Sequence, residues 1–378
     1  MSMYMDYNAS TPIDKRVLDV MINVYTNNYG NADSRTHDYG DSARNVVETS
    51  RGIVADFLSI NKDEVFFTSG ATESDNIVIL GLKDYAFKTG KKHIITTAIE
   101  HKAILEPCEK LIAEGFEITL INPDSSGRIK ANDLLSKVRD DTLLVSVMHA
   151  NNETGIIQPV EEIGTELEKK DVLFHVDAAQ SFGKLVTELK NVKYDMLSAS
   201  AHKMYGPQGI GLLALKKKKY RLPPIKPISF GGSQEHCIRP GTVPTALIAG
   251  FGEACRIAAN EYETNLKQYQ NNKTGIINIL NKSGLNYRIN GEQNFAIPNT
   301  INISFTGINS EALMLSTRHF CSISNGSACN SNSYKPSHVL TAMGLDIDRI
   351  QSAIRISWGI EDVIPSFKLL TDKAKDLV

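Results

Sequence analysis

Several features that mark particular classes of protein are scarce or absent in this sequence. Only five of its 378 residues are cysteines, which is too few for a disulfide framework, and none are spaced as metal-binding C-x-x-C pairs. No apolar run approaches the roughly 20 residues that a membrane-spanning helix needs, and the N-terminal residues lack the apolar core of a signal peptide. We therefore expect a cytoplasmic protein with reduced thiols, no membrane association and no metal site.

An excess of charge of one sign is also missing. A net charge of −2 at pH 7 gives no basic surface for nucleic acid or for an anionic membrane, so we expect no direct nucleic-acid partner. The sequence has no internal repeat and neither a Walker nor a G-x-G-x-x-G motif. With 42% hydrophobic and 22% charged residues, it is typical of a globular enzyme with one large and one smaller domain.

What the sequence does contain is a regular alternation of apolar strands and helical segments. Apolar runs at residues 65–68, 93–97 and 143–148 predict strands, as do the runs that end at Asp177 and Ser200. Helices lie between them, for example over residues 160–170, and a further helix is predicted over residues 41–58, before the first of these strands. Repeated β-α units of this kind predict an α/β fold with a mainly parallel, doubly wound sheet. A long helical stretch over residues 246–280 then leads to a smaller α+β unit.

One predicted strand ends unusually, in the sequence LSASAHKMYGPQGIG over residues 197–211. A buried strand here runs into a polar, glycine-rich turn that contains Lys203. Burying a lysine as an ammonium ion is costly, so one reason to place it there is to use its neutral amine as a nucleophile. For this residue alone, a solvated surface lysine is the ordinary alternative.

A second strand end has the form of an anion site. The strand at 65–68, the turn Ser69-Gly70 and a helix from Thr72 onward turn free backbone N–H groups and a helix dipole toward a ligand, and a single phosphate fits. An ordinary strand-to-helix turn is the alternative. Because parallel strands end at one edge of a sheet, we expect the polar residues that follow them to meet in one crevice. These residues are His101, Asn152, Asp177, Gln180, Ser200, His202 and Lys203, with Thr72 close by.

This combination suits pyridoxal 5'-phosphate. The amine of Lys203 can bond to the aldehyde of the cofactor, and the carboxylate of Asp177 can keep the pyridine nitrogen protonated. His101 offers a flat ring that can stack on the cofactor and exchange protons. The hydroxyls of Thr72 and Ser200 can bind the phosphate together with the helix N-terminus.

Cys329 stands out among the cysteines because its neighbours are glycine, serine and asparagine. Structural cysteines usually lie among apolar residues, whereas exposure and a lowered pKa make a thiol reactive. We therefore predict a reactive thiol in a mobile polar loop, with an ordinary loop cysteine as the alternative. Cys108, Cys255 and Cys321 have the surroundings of core or helix cysteines, and Cys237 is ambiguous.

Motifs along most of the chain resemble those of the class V aminotransferase-like enzymes, specifically the cysteine desulfurases of the NifS/IscS type. The motifs, in the family's order up to about position 359, are DYNASTP, FTSGATESDN, EHKAIL, MHANNETG, FHVDAAQS, SAHKMYGPQGIG, RPGT, SNGSACNS and IRISWG. The resemblance implies the pyridoxal phosphate-dependent transferase fold of type I. Its large domain has a mainly parallel seven-stranded sheet between helices, and its smaller domain is α+β. It also implies a homodimer with active sites at the subunit interface.

The resemblance also implies a role for each site residue. Lys203 would bond the cofactor, Asp177 would bind the pyridine nitrogen, Gln180 the ring hydroxyl, and His101 would stack on the ring. The phosphate would be bound by Ala71, Thr72, Ser200 and His202, and by Thr242 from the other subunit. Asn152 and Arg355 would hold the substrate, with Arg355 on its carboxylate, and Asn152 would also bind the cofactor. Cys329 falls on the sulfur-accepting cysteine of the family.

The implied reaction converts L-cysteine to L-alanine and leaves the sulfur as a persulfide on Cys329 for an acceptor protein. The acceptor would serve iron-sulfur cluster assembly, tRNA thiolation or DNA phosphorothioation. The sequence around Cys329 is similar to that of the desulfurases that serve DNA phosphorothioation. A selenocysteine lyase, another class V enzyme and a non-catalytic sulfur-relay scaffold are the alternatives. We place the large cofactor-binding domain at residues 15–258, and the small domain with the Cys329 loop at residues 1–14 and 259–378.

The chain departs from the family pattern in two places. The family usually has GGGQERG or GGGHERG where this chain has GGSQEHC, so His236 replaces a basic residue and Cys237 replaces a glycine. The tripeptide Asn31-Ala32-Asp33 replaces a commoner N-P-S. Neither departure falls on a predicted catalytic position, so we expect effects on the pocket edge, the dimer contact or the choice of partner rather than on activity.

Overall fold

The computed structural model describes residues 2–325 and 336–377. The strands are β1 (Met3–Tyr4), β2 (Val65–Thr68), β3 (His93–Thr97), β4 (Glu117–Ile121), β5 (Thr142–Met148), β6 (Leu173–Asp177), β7 (Met196–Ser200), β8 (Gly211–Leu215), β9 (Tyr287–Ile289), β10 (Thr300–Phe305), β11 (Cys321–Ser322) and β12 (Ala353–Ser357). The helices are α1 (Lys15–Asn27), α2 (Asp38–Leu58), α3 (Ala71–Gly81), α4 (Lys83–Thr89), α5 (Lys102–Ile112), α6 (Ala131–Leu135), α7 (Val160–Leu167), α8 (Val186–Asn191), α9 (Thr245–Ser283), α10 (Ser310–Thr317), α11 (His338–Ala342), α12 (Ile347–Gln351) and α13 (Ile364–Lys375).

Seven strands form a central sheet in the order β2-β8-β7-β6-β5-β3-β4. Strand β8 runs antiparallel to both of its neighbours, and the other pairs are parallel. Successive residues of β2 point to opposite faces of the sheet. Phe66 packs against α3, α4 and α5 on one face, and Phe67 packs against α1, α2 and α9 on the other. The sheet is therefore covered by helices on both faces. The predicted α/β fold with a mainly parallel seven-stranded sheet is confirmed.

A second hydrophobic core lies around a three-stranded antiparallel sheet of order β12-β10-β9. Met5 from the N-terminal segment packs into this core, which also contains Trp358, and β1 pairs with β11 in a separate two-stranded sheet. Helix α9 contributes Phe251 to the first core and Ile276 to the second, so one helix of about 58 Å serves both. The exact domain boundaries stay a prediction.

Helix α2 begins earlier than its sequence pattern predicts. The predicted start was residue 41, but the helix begins at Asp38. The side chain of His37 caps it, because its Nδ1 accepts a hydrogen bond from the N–H of Gly40 at 3.1 Å. Histidine is not one of the residues that usually cap a helix, so the pattern gives no signal for this start.

The segment that contains the departures His236 and Cys237 has an unusual backbone. Glu235, His236 and Cys237 have φ angles of 46°, 53° and 66°, in the left-handed region that favours glycine. The buried carboxylate of Glu235 holds the segment in place, since it accepts hydrogen bonds from the guanidinium of Arg51 at 2.7 and 2.9 Å and from the N–H of Phe67 at 2.8 Å. Such a conformation costs a residue with a β-carbon about 1–2 kcal/mol.

Replacing Cys237 by glycine should therefore stabilise the protein. Glycine adopts a φ of 66° without the steric cost of a β-carbon, and the gain is reduced by about 0.4–1 kcal/mol for the freedom it adds to the unfolded chain. We expect Cys237→Gly to raise the melting temperature by about 1–2 °C in thermal unfolding. Cys237→Ala is the matched control because it removes the sulfur and keeps the β-carbon. A melting temperature of C237G at or below that of C237A would contradict this account.

Candidate active site

A pocket of about 680 Å³ opens at the carboxyl ends of the parallel strands of the large sheet. Ten of the twelve residues predicted for the site line this pocket. They are Ala71, Thr72, His101, Asn152, Asp177, Gln180, Ser200, His202, Lys203 and Arg355. They come from separate stretches of the sequence, and the sheet topology brings them together because β5, β6 and β7 end at the same edge.

Lys203 lies just after β7, in a short turn formed by Ala201–Lys203. Its side chain is half-buried, less than the buried strand before it led us to expect. The ammonium Nζ donates hydrogen bonds to the backbone carbonyls of Asn8 and Ala9, the latter at 2.8 Å. The N-terminal segment therefore holds the amine at the wall of the pocket.

Asp177 ends β6, and it is buried. Burial raises the pKa of its carboxyl, while a hydrogen bond from the N–H of Ala179 at 2.8 Å and the nearby His101 and Lys203 oppose the rise. A second buried acid, Asp75 of α3, lines the same pocket, and burial together with the charge of Asp177 raises the pKa of Asp75 well above its usual range. Burial thus raises the pKa of both acids, and of the two only Asp177 has His101 and Lys203 as neighbours that favour its charged form.

Gln180 lies three residues beyond Asp177 and is also buried. Its side-chain amide donates from Nε2 to the carbonyl of Asn8 at 2.9 Å. Its Oε1 has no hydrogen-bond partner within residues 2–325 and 336–377. An unpaired buried acceptor is costly, so this oxygen is suited to accept a hydrogen bond from a ligand hydroxyl.

The predicted anion site lies at the start of α3, where Ala71 and Thr72 follow Gly70. The N-cap residue, Gly70, has no side chain with which to cap this helix, so the first N–H groups are available to a ligand. Ser200 and His202 line the same pocket. Burial, reinforced by the charge of Lys203, lowers the pKa of His202 to about 4. His202 is therefore a neutral imidazole at pH 7 and can act as a hydrogen-bond donor to an anion.

His101 caps α5 with its own ring. Its Nδ1 accepts a hydrogen bond from the N–H of Ala103 at 3.1 Å, which leaves the proton of the neutral ring on Nε2. Burial lowers the pKa of His101, and the charge of Asp177 partly opposes this effect. The cap also fixes the ring at the wall of the pocket.

Arg355, in β12, reaches the pocket from the second core. Its guanidinium donates to the carboxylate of Asp6 at 2.6 Å and to the backbone carbonyl of Asn152 at 2.9 Å. Asn152 itself follows β5 in the turn 151–155, and its carbonyl also accepts from the side chain of Asn8 at 3.2 Å. An arginine and an amide residue at one end of a pocket are suited to bind a carboxylate.

The sequence patterns did not predict that the N-terminal segment 6–10 is part of the site. Asp6, Asn8, Ala9 and Ser10 line the pocket. The segment contacts five of the predicted residues: Arg355, Asn152, Gln180, Lys203 and His202. A signal was available, because the segment belongs to DYNASTP, one of the motifs that resemble the family, although residues 7–9 form a turn in which the alternation of a strand does not apply.

Two predicted residues are not among those that line the pocket. Thr242 is absent from the walls of its own chain's pocket, and its predicted role concerns the other subunit. Cys329 lies outside the described residues. On either side of the segment 326–335, Ser324 exchanges backbone hydrogen bonds with Arg355, and the hydroxyl of Ser337 donates to Glu153 at 2.5 Å. Both flanks of the Cys329 segment are therefore attached beside the pocket.

Residues 2–325 and 336–377 contain no cluster of three or more His, Cys, Asp or Glu side chains that could hold a metal ion. In the same described part of the chain, no helix is both long and apolar enough to cross a membrane.

The sequence matches the family model of the class-V aminotransferases over residues 3–363. The cysteine desulfurase IscS of Vibrio vulnificus is 42% identical over 386 aligned positions, which cover 99% of this chain and 94% of that protein. The solved structure of a NifS-like protein has a TM-score of 0.91 and 36% identity, covering 100% of this chain and 99% of that one. A structure of SspA in complex with cysteine has a TM-score of 0.81 and 37% identity, covering 96% and 100%. This chain therefore belongs to the class-V aminotransferase family, among its IscS- and NifS-type cysteine desulfurases.

Proposed function

We propose that this protein is a pyridoxal phosphate-dependent cysteine desulfurase, which converts L-cysteine to L-alanine and keeps the sulfur as a persulfide on Cys329. The observation that carries the proposal is the meeting of Lys203, Asp177 and Arg355 in one pocket: Asp177 and Arg355 lie on two separate strands, and Lys203 lies in the turn after a third. An amine, a buried acid and a carboxylate-binding arginine are the groups that an amino-acid substrate and this cofactor need.

The residues of the pocket fit pyridoxal phosphate, the cofactor on which this family depends. The unpaired Oε1 of Gln180 would accept a hydrogen bond from the ring hydroxyl, and the uncapped start of α3 would bind the phosphate. Lys203 would hold the aldehyde end, and Asp177 the ring nitrogen. When bound, the cofactor supplies an electron-withdrawing ring that weakens the bonds of the substrate's α-carbon.

The protein's own groups would manage the protons of the reaction. When it is not bonded to the cofactor, the Nζ of Lys203 would take the α-proton of the substrate and return it, since it lies at the wall of the same pocket. The carboxylate of Asp177 would keep a proton on the ring nitrogen, a cation that offsets the cost of burying this acid. His101, neutral and fixed by its cap, would cover one face of the ring.

The sulfur step would use the thiolate of Cys329. We propose that it attacks the sulfur of the bound cysteine, so that an S–S bond forms as the Cβ–S bond breaks. The electron pair of the broken bond stays with carbon, which then takes up a proton and becomes the methyl group of alanine. The sulfur is oxidised to the persulfide level while the carbon is reduced, so no outside oxidant is needed.

The proposal includes two protein partners, an acceptor of the sulfur and a second subunit. A persulfide is a carrier of sulfur, so we propose that an acceptor protein takes it from Cys329. We also propose a homodimer, because Thr242, the one predicted phosphate ligand that does not line its own pocket, would then serve the partner subunit. The pathway, including the DNA phosphorothioation branch, and the cytoplasmic location stay predictions from the sequence.

Replacing Lys203 by alanine should abolish covalent attachment of the cofactor. After borohydride reduction and peptide mass spectrometry, we expect the wild-type protein to carry a pyridoxyl group on Lys203 and Lys203→Ala to carry none. Lys184 is the other lysine to consider as an attachment site, because burial lowers its pKa to about 7. It does not line the pocket. Lys184→Met should keep the group on Lys203. A pyridoxyl group on Lys184 of the wild-type protein would refute the assignment.

Replacing Cys329 by serine should separate cofactor binding from sulfur transfer. Cys329→Ser keeps every residue predicted to hold the cofactor, so its visible absorption should persist while alanine formation from L-cysteine falls at least about 100-fold. The control is Cys237→Ala, which removes an exposed thiol elsewhere and should leave alanine formation unchanged. Undiminished turnover by C329S would exclude the persulfide step. The same assay with selenocysteine tests the alternative of a selenocysteine lyase.

A further inference from the structure

The guanidinium of Arg355 is held from two sides before any substrate is considered. Nη2 donates to the carboxylate of Asp6 at 2.6 Å, and Nη1 donates to the backbone carbonyl of Asn152 at 2.9 Å. The arginine side chain is only 7% exposed and the Asp6 side chain 18%. Within the described part of the chain, Nε of Arg355 is buried and has no hydrogen-bond partner. The plane of the guanidinium is therefore set, and part of its donor edge remains free.

Both members of this ion pair are carried by rigid parts of the chain. Arg355 is in β12, which pairs along its length with β10. Asp6 forms a parallel bridge with Ser357 of the same strand, and its carbonyl accepts a hydrogen bond from the hydroxyl of Tyr4 at 2.9 Å. The preceding residue, Met5, is completely buried in the second core. The carboxylate is thus fixed relative to the guanidinium by backbone pairing on the same strand.

A guanidinium has five N–H donors in one plane, and binding a carboxylate with two parallel hydrogen bonds requires that plane to be correctly oriented. The contacts with Asp6 and Asn152 use two of these donors and leave the others to a ligand. The charge of Asp6 also offsets the cost of burying a cation when no carboxylate ligand is bound. An arginine without this support would lose side-chain entropy on binding the substrate.

From this geometry we propose that Asp6 is a positioning residue for Arg355, and that it determines how tightly the enzyme binds the carboxylate of its substrate. The inference rests on the proposed function, since it takes the substrate to be an α-amino acid. Asp6 does not touch the reacting atoms. It orients the group that does bind the carboxylate, so its removal affects affinity for carboxylates and spares the chemical step.

The test compares Asp6→Ala and Asp6→Asn in the cofactor-loaded enzyme. Asp6→Ala removes both the acceptor and the charge, so the KM for L-cysteine should rise about ten-fold while kcat changes less than about three-fold. Asp6→Asn keeps an acceptor oxygen and loses only the charge, so its KM should rise about three-fold. The matched control is Tyr4→Phe, which loses a contact with the same backbone segment and should leave the KM unchanged.

A binding measurement separates this role from a structural one. Cysteamine lacks the carboxylate of cysteine, and its binding can be followed by titrating the visible absorption of the bound cofactor. Asp6→Ala should weaken binding of L-cysteine about ten-fold and leave binding of cysteamine unchanged. An equal loss for both ligands, or a KM that is unchanged or lower in D6A, would overturn the inference. Failure of the wild-type protein to form alanine would instead refute the proposed function, and the titration would still test Asp6.

Discussion

The chemistry of the pocket depends on one carboxylate, that of Asp177, which the sheet buries where water does not balance its charge. Burial raises the pKa of an acid, and an uncompensated buried charge is among the costliest features a fold can carry. The neighbours are consistent with this requirement, since Lys203 and His101 lie nearby and favour the charged form of Asp177, while burial and the charge of Asp177 raise the pKa of the second acid, Asp75. A protonated ring nitrogen placed against Asp177 would supply the missing compensation.

The N-terminal segment connects the parts of this pocket that come from different cores. Carbonyls of Asn8 and Ala9 bind Lys203 and Gln180 of the large sheet, and Asp6 binds Arg355 of the small one. The same segment bridges to Ser357 and packs Met5 among the residues of the second core. Fewer than a dozen residues at the start of the chain therefore fix Lys203 and Arg355 relative to each other.

The sequence predicts the strands and their polar ends well, because an apolar run followed by Asp177 or by the turn before Lys203 is a local pattern. It does not predict pairings between distant segments, such as Asp6 with Arg355, 349 positions apart, because hydrophobic periodicity reports the face of a residue and not its partner. The start of α2 is missed for a different reason, because histidine is not one of the residues that usually cap a helix. The roles of the pocket residues, and that of Cys329 above all, stay predictions until they are measured.

The most direct test of this account is the effect of Asp177→Asn on alanine formation by the cofactor-loaded enzyme. The amide has the shape of the acid and lacks its charge, so it cannot keep a proton on the ring nitrogen. We expect borohydride still to trap the cofactor on Lys203, while kcat for alanine formation from L-cysteine falls at least about 100-fold. A kcat within a few-fold of the wild-type value would show that the buried charge of Asp177 is not what drives the reaction.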